Sequence, residues 1–525
     1  MLARGQVINR LEEQWDVIVV GGGITGAGVL REASRRGMRC LLLEQRDFAW
    51  GTSSRSGKMV HGGLRYLRQG QAKTTWHSVR ERERLLREYA GLVEPLGFLV
   101  PLYAGKRWEP LLLKVGLSLY DLMALRRSHR RYNALDLSLL VPSLRRDGLL
   151  GGFWYRDART DDARLVLWAI KEGVALGGAA LNYARVEALL RDRRGRVCGV
   201  AVRDVVTGRT MEVEAQVVIN AAGAWTDRVR SWTGAPPRLR RLRGSHLVFP
   251  RWRFPLFQAV GFSHPRDGRL VYAFPWEQVT LVGTTDVDHD QPLDREPRMS
   301  QSEGEYLLEG IGKAFPSLEL TAEDVMSTFS GVRPVVGTGR RDPSREPRDH
   351  VVWAEDGMVT VAGGKLTTFS LLARDALNKA SAWLRGGSGA SGRPKGARVD
   401  TAPEQYLGLL DHGRMRRLLG RYGKDAAALV EEAGRGELEP VPGTEILWAE
   451  LRWAARHEAV VHLDDLLLRR VRLGNLLPEG GAGLLDRVRP VVQPALGWDS
   501  DRWERETARY VKLWREAYSP DLMVK

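Results

Sequence analysis

The 525-residue chain predicts an α/β fold interleaved with a mostly antiparallel sheet and followed by a helical C-terminal region, on three observations. First, "WDVIVVGGGITGAGVLREASRRGMRCLLLEQRD" runs from an apolar strand through a glycine-rich turn into a helix and on to a second strand. Second, the apolar runs "GSHLVFP", "LVYAFPW" and "VTLVGTTDVD" lie between Arg240 and Asp290 with turn residues between them, the pattern of successive strands. Third, the Gly/Ser-rich stretch "RGGSGASGRPKGARVD" precedes a region of helical periodicity, including "ILWAELRWAARHEAV" and "HLDDLLLRRVRLGNLL".

In the first element, Gly21, Gly23 and Gly26 fit G-x-G-x-x-G. These glycines permit a tight turn, close backbone approach to a pyrophosphate, and close packing of helix on strand. Gly22 and Thr25 complete the turn, and the helix start offers free N–H groups and a positive dipole end. Glu44 ends the second strand, where an acid about 20 residues past the turn accepts from ribose hydroxyls. A dinucleotide-binding Rossmann-like domain follows, and its position at the start of the chain favours FAD over NAD.

The stretch after Glu44, "GTSSRSGKMVHGGLRYLRQG", fits the same cofactor. Thr52, Ser53 and Ser54 offer hydroxyls and Lys58 a charge, while Gly62 and Gly63 let backbone approach a flat ring without a Cβ between. His61 stands beside them. Helix is expected over residues 74–89. Further on, "VEAQVVINAAGAW" ends a strand at small residues, so Ala222, Gly223 and Trp225 join the cofactor set. In "MVTVAGGKLTTFSLLARDALNKA" a strand meets Gly363 and Gly364 before a helix whose start, with Lys365, Leu366 and Thr367, would face the electron-rich edge of a reduced flavin.

Composition bounds the alternatives. With 43% hydrophobic and 27% charged residues the chain is an ordinary globular protein of more than one domain. The net charge of +16 suits an anionic partner, yet 12 Lys stand against 68 Arg, a bias that reads as codon usage. A basic nucleic-acid-binding protein is the distant alternative, but the cations are spread along the chain and no stacking module appears. Cys40 and Cys198 match no metal spacing, and His457 and His462 do not share a helical face as H-E-x-x-H does; no metal site is expected. No secretory signal and no run of about 20 uncharged apolar residues is seen, so a cytoplasmic protein is expected.

In order along the chain, "GGGITGAG", "TSSRSGKMVHGGLRYL", "DARTDDARLVL", "NAAGAW", "GSHLVFP", "VGTTDVD", "FSGVRPVVG" and "AGGKLTTFSLLARDAL" resemble the FAD-dependent glycerol-3-phosphate dehydrogenases of the aerobic, quinone-linked type, from about Trp15 onward. The resemblance implies a domain of the glutathione-reductase and amino-acid-oxidase type that oxidises sn-glycerol 3-phosphate to dihydroxyacetone phosphate and passes electrons to membrane quinone. Val186 is placed at the adenine side by resemblance. Thr25 departs from the asparagine common at that place, and residues 337–347 are unusually rich in Arg and Pro. The expected organisation is an FAD domain assembled from roughly 1–75, 150–235 and 325–385, with a substrate domain interleaved at roughly 76–149 and 236–324. A linker at 386–400 and a separate helical domain at 401–525 follow.

Oxidising a secondary alcohol needs a base for the hydroxyl proton, cations for the phosphate and donors for the developing alkoxide. His61 is the first choice for base and His246, in "GSHLVF", the second. Arg333 in "SGVRPVVG" suits the phosphate, since a guanidinium fork matches its geometry. Lys365 stabilises reduced flavin or alkoxide. Arg65 and Tyr66 line the pocket by resemblance, and Thr284 and Thr285 add hydroxyls. A glycerol-3-phosphate oxidase, with oxygen as acceptor, and an amine-oxidising flavoprotein of the same fold are the enzymatic alternatives.

Finally, "KRWEPLLLKVGLSLYDLMALRRSHRR" is apolar from Leu111 to Leu125, too short to span a bilayer and interrupted by Lys114 and Asp121. Lys106, Arg107 and the cluster from Arg126 to Arg131 close its ends, with Trp108 and Tyr120 as amphipathic aromatics. It reads either as an interfacial helix on the inner, anionic face of the cell membrane or as a buried helix with charged ends. The expected partners are glycerol 3-phosphate, quinone, that membrane surface and a second copy of the chain in a homodimer, without nucleic acid.

Overall fold

A computed structural model describes residues 4–64, 67, 71–105, 109–126, 128–339, 346, 349–384 and 410–523. The linker 386–400, Arg65, Tyr66, Lys106, Arg107, Trp108, Arg127 and most of 337–347 lie outside the described residues. Two sheets organise the rest.

The first sheet runs His350–Glu355, Met358–Gly363, Thr210–Asn220, Trp15–Val20, Cys40–Leu43, Ala179–Leu181, with the strand pair Ala184–Arg191 and Val197–Asp204 joined to Thr210–Asn220. Trp15–Val20 pairs in parallel on both sides, Val17 opposite Val217 and Cys40. Alternation along this strand sends Val17 and Val19 to one face and Ile18 and Val20 to the other. The first pair packs with Ala27, Leu30, Val166, Ile170 and Leu372 from helices Ile24–Arg35, Asp162–Ala175 and Phe369–Ala380. The second packs with Val200, Val202 and Val213 of the antiparallel strands. Each such fully buried aliphatic side chain contributes roughly 1.5–3 kcal/mol before its ordering cost.

The second sheet runs Val287–Asp288, Leu239–Pro250, Val279–Gly283, Leu270–Trp276, Ala259–Ser263, Val93–Tyr103, Leu149–Thr160, Met59–Val60. Ser327–Val336 pairs antiparallel along the free side of Leu239–Pro250, with His246 opposite Phe329. The sheet is antiparallel except where Ala259–Ser263 meets Val93–Tyr103. Leu247 and Phe249 pack with Leu307 and Ile311 of helix Gln301–Ala314. Their neighbours Gly244, His246 and Val248 point the opposite way, as do Phe329, Gly331 and Arg333 of the paired strand. That face packs at Val248 and Phe329 against the C-terminal helices and carries His246 and Arg333 to the cavity.

Two boundaries differ from the sequence reading. Leu149–Thr160 and the strand Ser327–Val336 belong to the second sheet, although 150–235 and 325–385 were expected with the cofactor domain. Pairing decides membership, and both strands find long antiparallel partners in Val93–Tyr103 and Leu239–Pro250. The described residues 410–523 form helices and turns, as expected, but they are not a separate body. Leu466, Leu467, Trp503 and Trp514 share one core with Val248, Phe274, Trp276 and Phe329 of the second sheet. The helix expected over 74–89 spans Ala72–Glu88.

Candidate active site

A cavity of about 410 Å³ lies between the two sheets. Its first end is the glycine turn. Gly21 has φ +112°, and a Cβ there would stand 2.6 Å from Ala221 O; at Gly26 it would stand 1.9 Å from Gly21 O. No side chain fits either place, so strand, turn and helix close tightly, and Gly21, Gly23 and Thr25 of the turn line the cavity. Glu44 lines the cavity too. Its Oε2 accepts from Gly22 N at 2.6 Å and its Oε1 from Arg46 N at 2.9 Å. Burial pushes its carboxyl up from the usual range, and these two N–H groups oppose that shift. Ser53 Oγ accepts from Ile24 N at 2.9 Å, which docks the 51–55 loop on the helix start. Val186, Ala222, Gly223 and Trp225 complete this end. Trp225 Nε1 is a buried donor on the cavity wall with no hydrogen-bond partner among the described residues.

The other end gathers His61, Gly63, His246, Thr284, Arg333, Gly364, Lys365, Leu366 and Thr367; Thr52 lines the cavity too, and Thr25 lines it at the glycine turn. His246 is buried and stacks on Phe329 at 4.6 Å between centroids. Burial, then the charges of Arg333 and Lys58, push its imidazole well below the usual histidine range, so it is neutral at neutral pH. Its Nδ1 has no protein partner among the described residues. Arg333 donates from Nη1 to Asp286 Oδ1 at 2.9 Å and from Nη2 to Thr284 Oγ1 at 2.9 Å. Asp286 also holds Arg269 Nη2 at 3.0 Å, so one buried carboxylate orients two guanidinium groups that line the cavity. Gly244 makes room for this: a Cβ there would stand 2.3 Å from Arg333 Nη2. Lys365 Nζ donates to Ser78 Oγ at 3.3 Å, and Thr367 Oγ1 donates to His61 O at 3.5 Å.

Residues 16–370 match the family model of the FAD-dependent oxidoreductases, and residues 381–503 match that of the C-terminal domain of alpha-glycerophosphate oxidase. The aerobic glycerol-3-phosphate dehydrogenase of Staphylococcus aureus is 34% identical over 487 residues, 88% of this chain and 87% of that protein. The chain belongs to the FAD-dependent glycerol-3-phosphate dehydrogenase family. The glycerol-3-phosphate dehydrogenase of Bacillus halodurans, solved in complex with FAD, aligns with a TM-score of 0.77 and 31% identity over 98% of this chain and 97% of that one. The L-alpha-glycerophosphate oxidase of Mycoplasma pneumoniae, at 18% identity and a TM-score of 0.58 over 72% of this chain and 98% of that one, shares the fold. FAD is the cofactor of this family, and the glycine turn, Glu44 and the unpartnered Trp225 Nε1 fit it.

Against this glycerol-3-phosphate dehydrogenase frame, several residues expected in the site stand elsewhere. Lys58 does not line the cavity: its Nζ is buried, donating to Asp162 Oδ1 at 3.0 Å and Ser54 O at 3.1 Å beneath Trp276 and Phe329. Burial and the nearby Arg472 lower its amine to about 8, against the pull of Asp162. Ser54 is buried with it. Gly62 serves packing, since a Cβ there would stand 2.3 Å from Tyr120 Oη. Thr285 Oγ1 donates to Glu303 at 2.6 Å behind the sheet and accepts from Ser245 N. Gly22 and Gly26 sit behind the turn that the cavity touches, and Arg65 and Tyr66 lie outside the described residues. Sequence reasoning missed Arg269, Tyr272, Tyr155 and Asp157 in the wall and Asp286 behind it. Asp286 stood inside "VGTTDVD", where only the hydroxyls were read.

Proposed function

We propose that this chain oxidises sn-glycerol 3-phosphate to dihydroxyacetone phosphate and hands the electrons to membrane quinone. The observation that carries the reading is a buried His246 on the same sheet face as Arg333, at one end of the dinucleotide cavity. Arg333, held by Asp286 and Thr284, binds the substrate phosphate through its guanidinium fork. Arg269, on the other oxygen of Asp286, adds a second positive charge to that end. His246 accepts the hydroxyl proton; it is preferred over His61 because its burial keeps the imidazole unprotonated and its ring is fixed on Phe329. Lys365 supplies positive charge near the forming carbonyl oxygen. Bound FAD supplies the two-electron acceptor for the hydrogen on carbon.

The dehydrogenase reading is favoured over the oxidase because the relatives above 30% identity carry the dehydrogenase name, whereas the oxidase structure, at 18%, supports only the fold. Among the described residues no helix is long and apolar enough to cross a membrane. The helix Glu109–Ala124 instead exposes Leu111, Leu112, Val115, Leu119 and Leu122, which supports attachment to the inner membrane face from one side. A homodimer rests on the resemblance alone, and light scattering on the purified protein reads it directly. Anaerobic mixing with glycerol 3-phosphate tests the chemistry: rapid loss of the oxidised flavin absorbance is expected. Persistent absorbance at millimolar substrate would overturn the assignment.

A further inference from the structure

We propose that Arg472, in the C-terminal helical region, is a positioning residue for the 51–58 loop and acts on it through Asp162. The inference rests on the reading that this loop contacts FAD. It also gives a task to the "DARTDDARLVL" motif, none of which the chemistry above uses.

The chain of contacts is short. Arg472 is buried and donates to Asp161 Oδ1 from Nε at 3.1 Å and from Nη2 at 2.9 Å, and to Ser54 O from Nη1 at 3.1 Å. Its Nη2 also pairs with Asp162 Oδ1. The second oxygen of Asp162 accepts from Ser56 N at 2.9 Å and from Ser56 Oγ at 2.7 Å. Ser56 and Gly57 line the cavity, and a Cβ on Gly57 would stand 3.5 Å from His246 Nε2. Gly331 lets the loop lie on the sheet, because a Cβ there would stand 2.6 Å from Arg55 O. One carboxylate thus grips the loop with Oδ2 and is itself gripped, through Oδ1, from the far end of the sequence.

Stability alone does not account for this arrangement. A buried ion cluster of this kind is commonly matched or bettered in stability by apolar residues of the same volume. What apolar residues lack is direction, and here the bonds from Arg472 to Ser54 O and from Ser56 N and Oγ to Asp162 fix loop atoms, Ser56 at the cavity itself. The C-terminal region also reaches the segment before the loop, where Arg470 pairs with Asp47 at 2.6 Å, and the loop itself, where Arg55 donates to Tyr518 Oη at 3.2 Å. Arg472 is the member that reaches the segment nearest the proposed base.

The test compares holoprotein of three full-length forms: wild type, Arg472→Lys and Glu458→Gln. The last breaks a buried pair with Arg164 that also joins the C-terminal region to helix Asp162–Ala175 but touches no loop residue. Arg472→Lys is expected to lower the limiting rate of flavin reduction by about 10- to 100-fold with little change in half-saturating substrate, as a small misplacement of reacting groups does. It should also change the visible circular dichroism of the bound flavin and speed hydrogen exchange at Ser56 and Lys58. Glu458→Gln should lower Tm without these changes. If Arg472→Lys behaves like Glu458→Gln at a matched loss of Tm, the proposal falls. Should Arg472→Lys not fold, the doubly neutral Arg472→Met with Asp162→Asn leaves Asp161 its pair with Arg421, and wild-type exchange at Ser56 and a wild-type reduction rate in that variant would overturn the proposal equally. Exchange at Ser56 needs no substrate, so it decides the role of Arg472 even if glycerol 3-phosphate fails to bleach the wild-type flavin.

Discussion

Arg333 donates from Nη1 to Asp286 Oδ1 at 2.9 Å, and the side chain of Asp286 is wholly buried beneath it. The carboxylate, with Thr284 Oγ1 on Nη2, holds the fork in one orientation at the cavity wall. Arg333→Ala is therefore expected to raise the half-saturating glycerol 3-phosphate concentration by about 10- to 150-fold, the equivalent of a lost charge-assisted bond of about 1.5–3 kcal/mol. Asp286→Asn should shift the same constant in the same direction, by less, because it loosens rather than removes the fork. Flavin reduction measured against substrate concentration checks both; unchanged dependence in Arg333→Ala would move the phosphate site elsewhere.

His246 sets the acid side of the pH profile. Its folded pKa is held well below the ordinary 6.5 by burial, by Arg333 and by Lys58. As a base it works when unprotonated, so the limiting reduction rate is expected to stay level as pH falls through 6.5 and to decline only well below it. The unfolded chain takes up a proton on this residue near pH 6.5 while the folded one does not. Stability thus falls with pH below 6.5, and His246→Asn should flatten that part of a Tm-against-pH curve while slowing flavin reduction at saturating substrate. A rate that titrates near 6.5 in the wild type would take the role of base from His246.

The glycine turn predicts flavin occupancy. With Gly21 O only 1.9 Å from where a Cβ on Gly26 would stand, Gly26→Val must push the helix start away from the strand. The backbone N–H groups then leave the pyrophosphate position. The variant is expected to purify with little or no FAD, read from the ratio of flavin to protein absorbance; full occupancy would remove the turn from the cofactor site.

What the sequence disclosed, and what it did not, follows from how far apart the deciding atoms lie. Gly21 and Gly26 were legible because the constraint on them is local. Arg333 was legible only through its motif, since nothing in composition separates it from 67 other arginines. Lys58 was misread: a lysine in a polar loop looks available to a ligand, and only Asp162, brought alongside by a helix start far along the chain, shows it to be buried. Arg269 and Asp286 were missed because their meeting depends on how separate segments of the second sheet come together, which alternation within a strand does not reveal. The same register placed Leu149–Thr160 and Ser327–Val336 in the second sheet. Tyr120, which suits either an interfacial or a buried helix on sequence alone, is buried: its hydroxyl donates to Asp157 at 2.6 Å and its ring packs under the sheet.

The helix that carries Tyr120 divides into two faces, and the division tests the proposed attachment to a membrane. Leu117, Tyr120 and Met123 are buried, while Leu112 and Leu122 are 69% and 67% exposed on the opposite side, with Lys114 and Arg126 also exposed. One stripe is therefore core, as the buried reading expects, and the other offers apolar side chains flanked by cations, on which the interfacial reading rests. Leaving several leucines in water is unfavourable by roughly 1.5–3 kcal/mol each relative to burial, so an apolar surface that covers them gains affinity quickly. Wild-type protein is expected to float with anionic vesicles at low salt. Leu112→Glu with Leu122→Glu should weaken partition by at least about a hundredfold, since each lost leucine is worth about tenfold or more. Neutralising Arg126, Arg130 and Arg131 should remove the salt dependence while leaving part of the binding. Leu117→Glu, on the buried stripe, should instead lower Tm. If wild-type protein stays in the soluble fraction at low salt, the exposed leucines do not serve a membrane, and oxygen rather than quinone becomes the acceptor to test first.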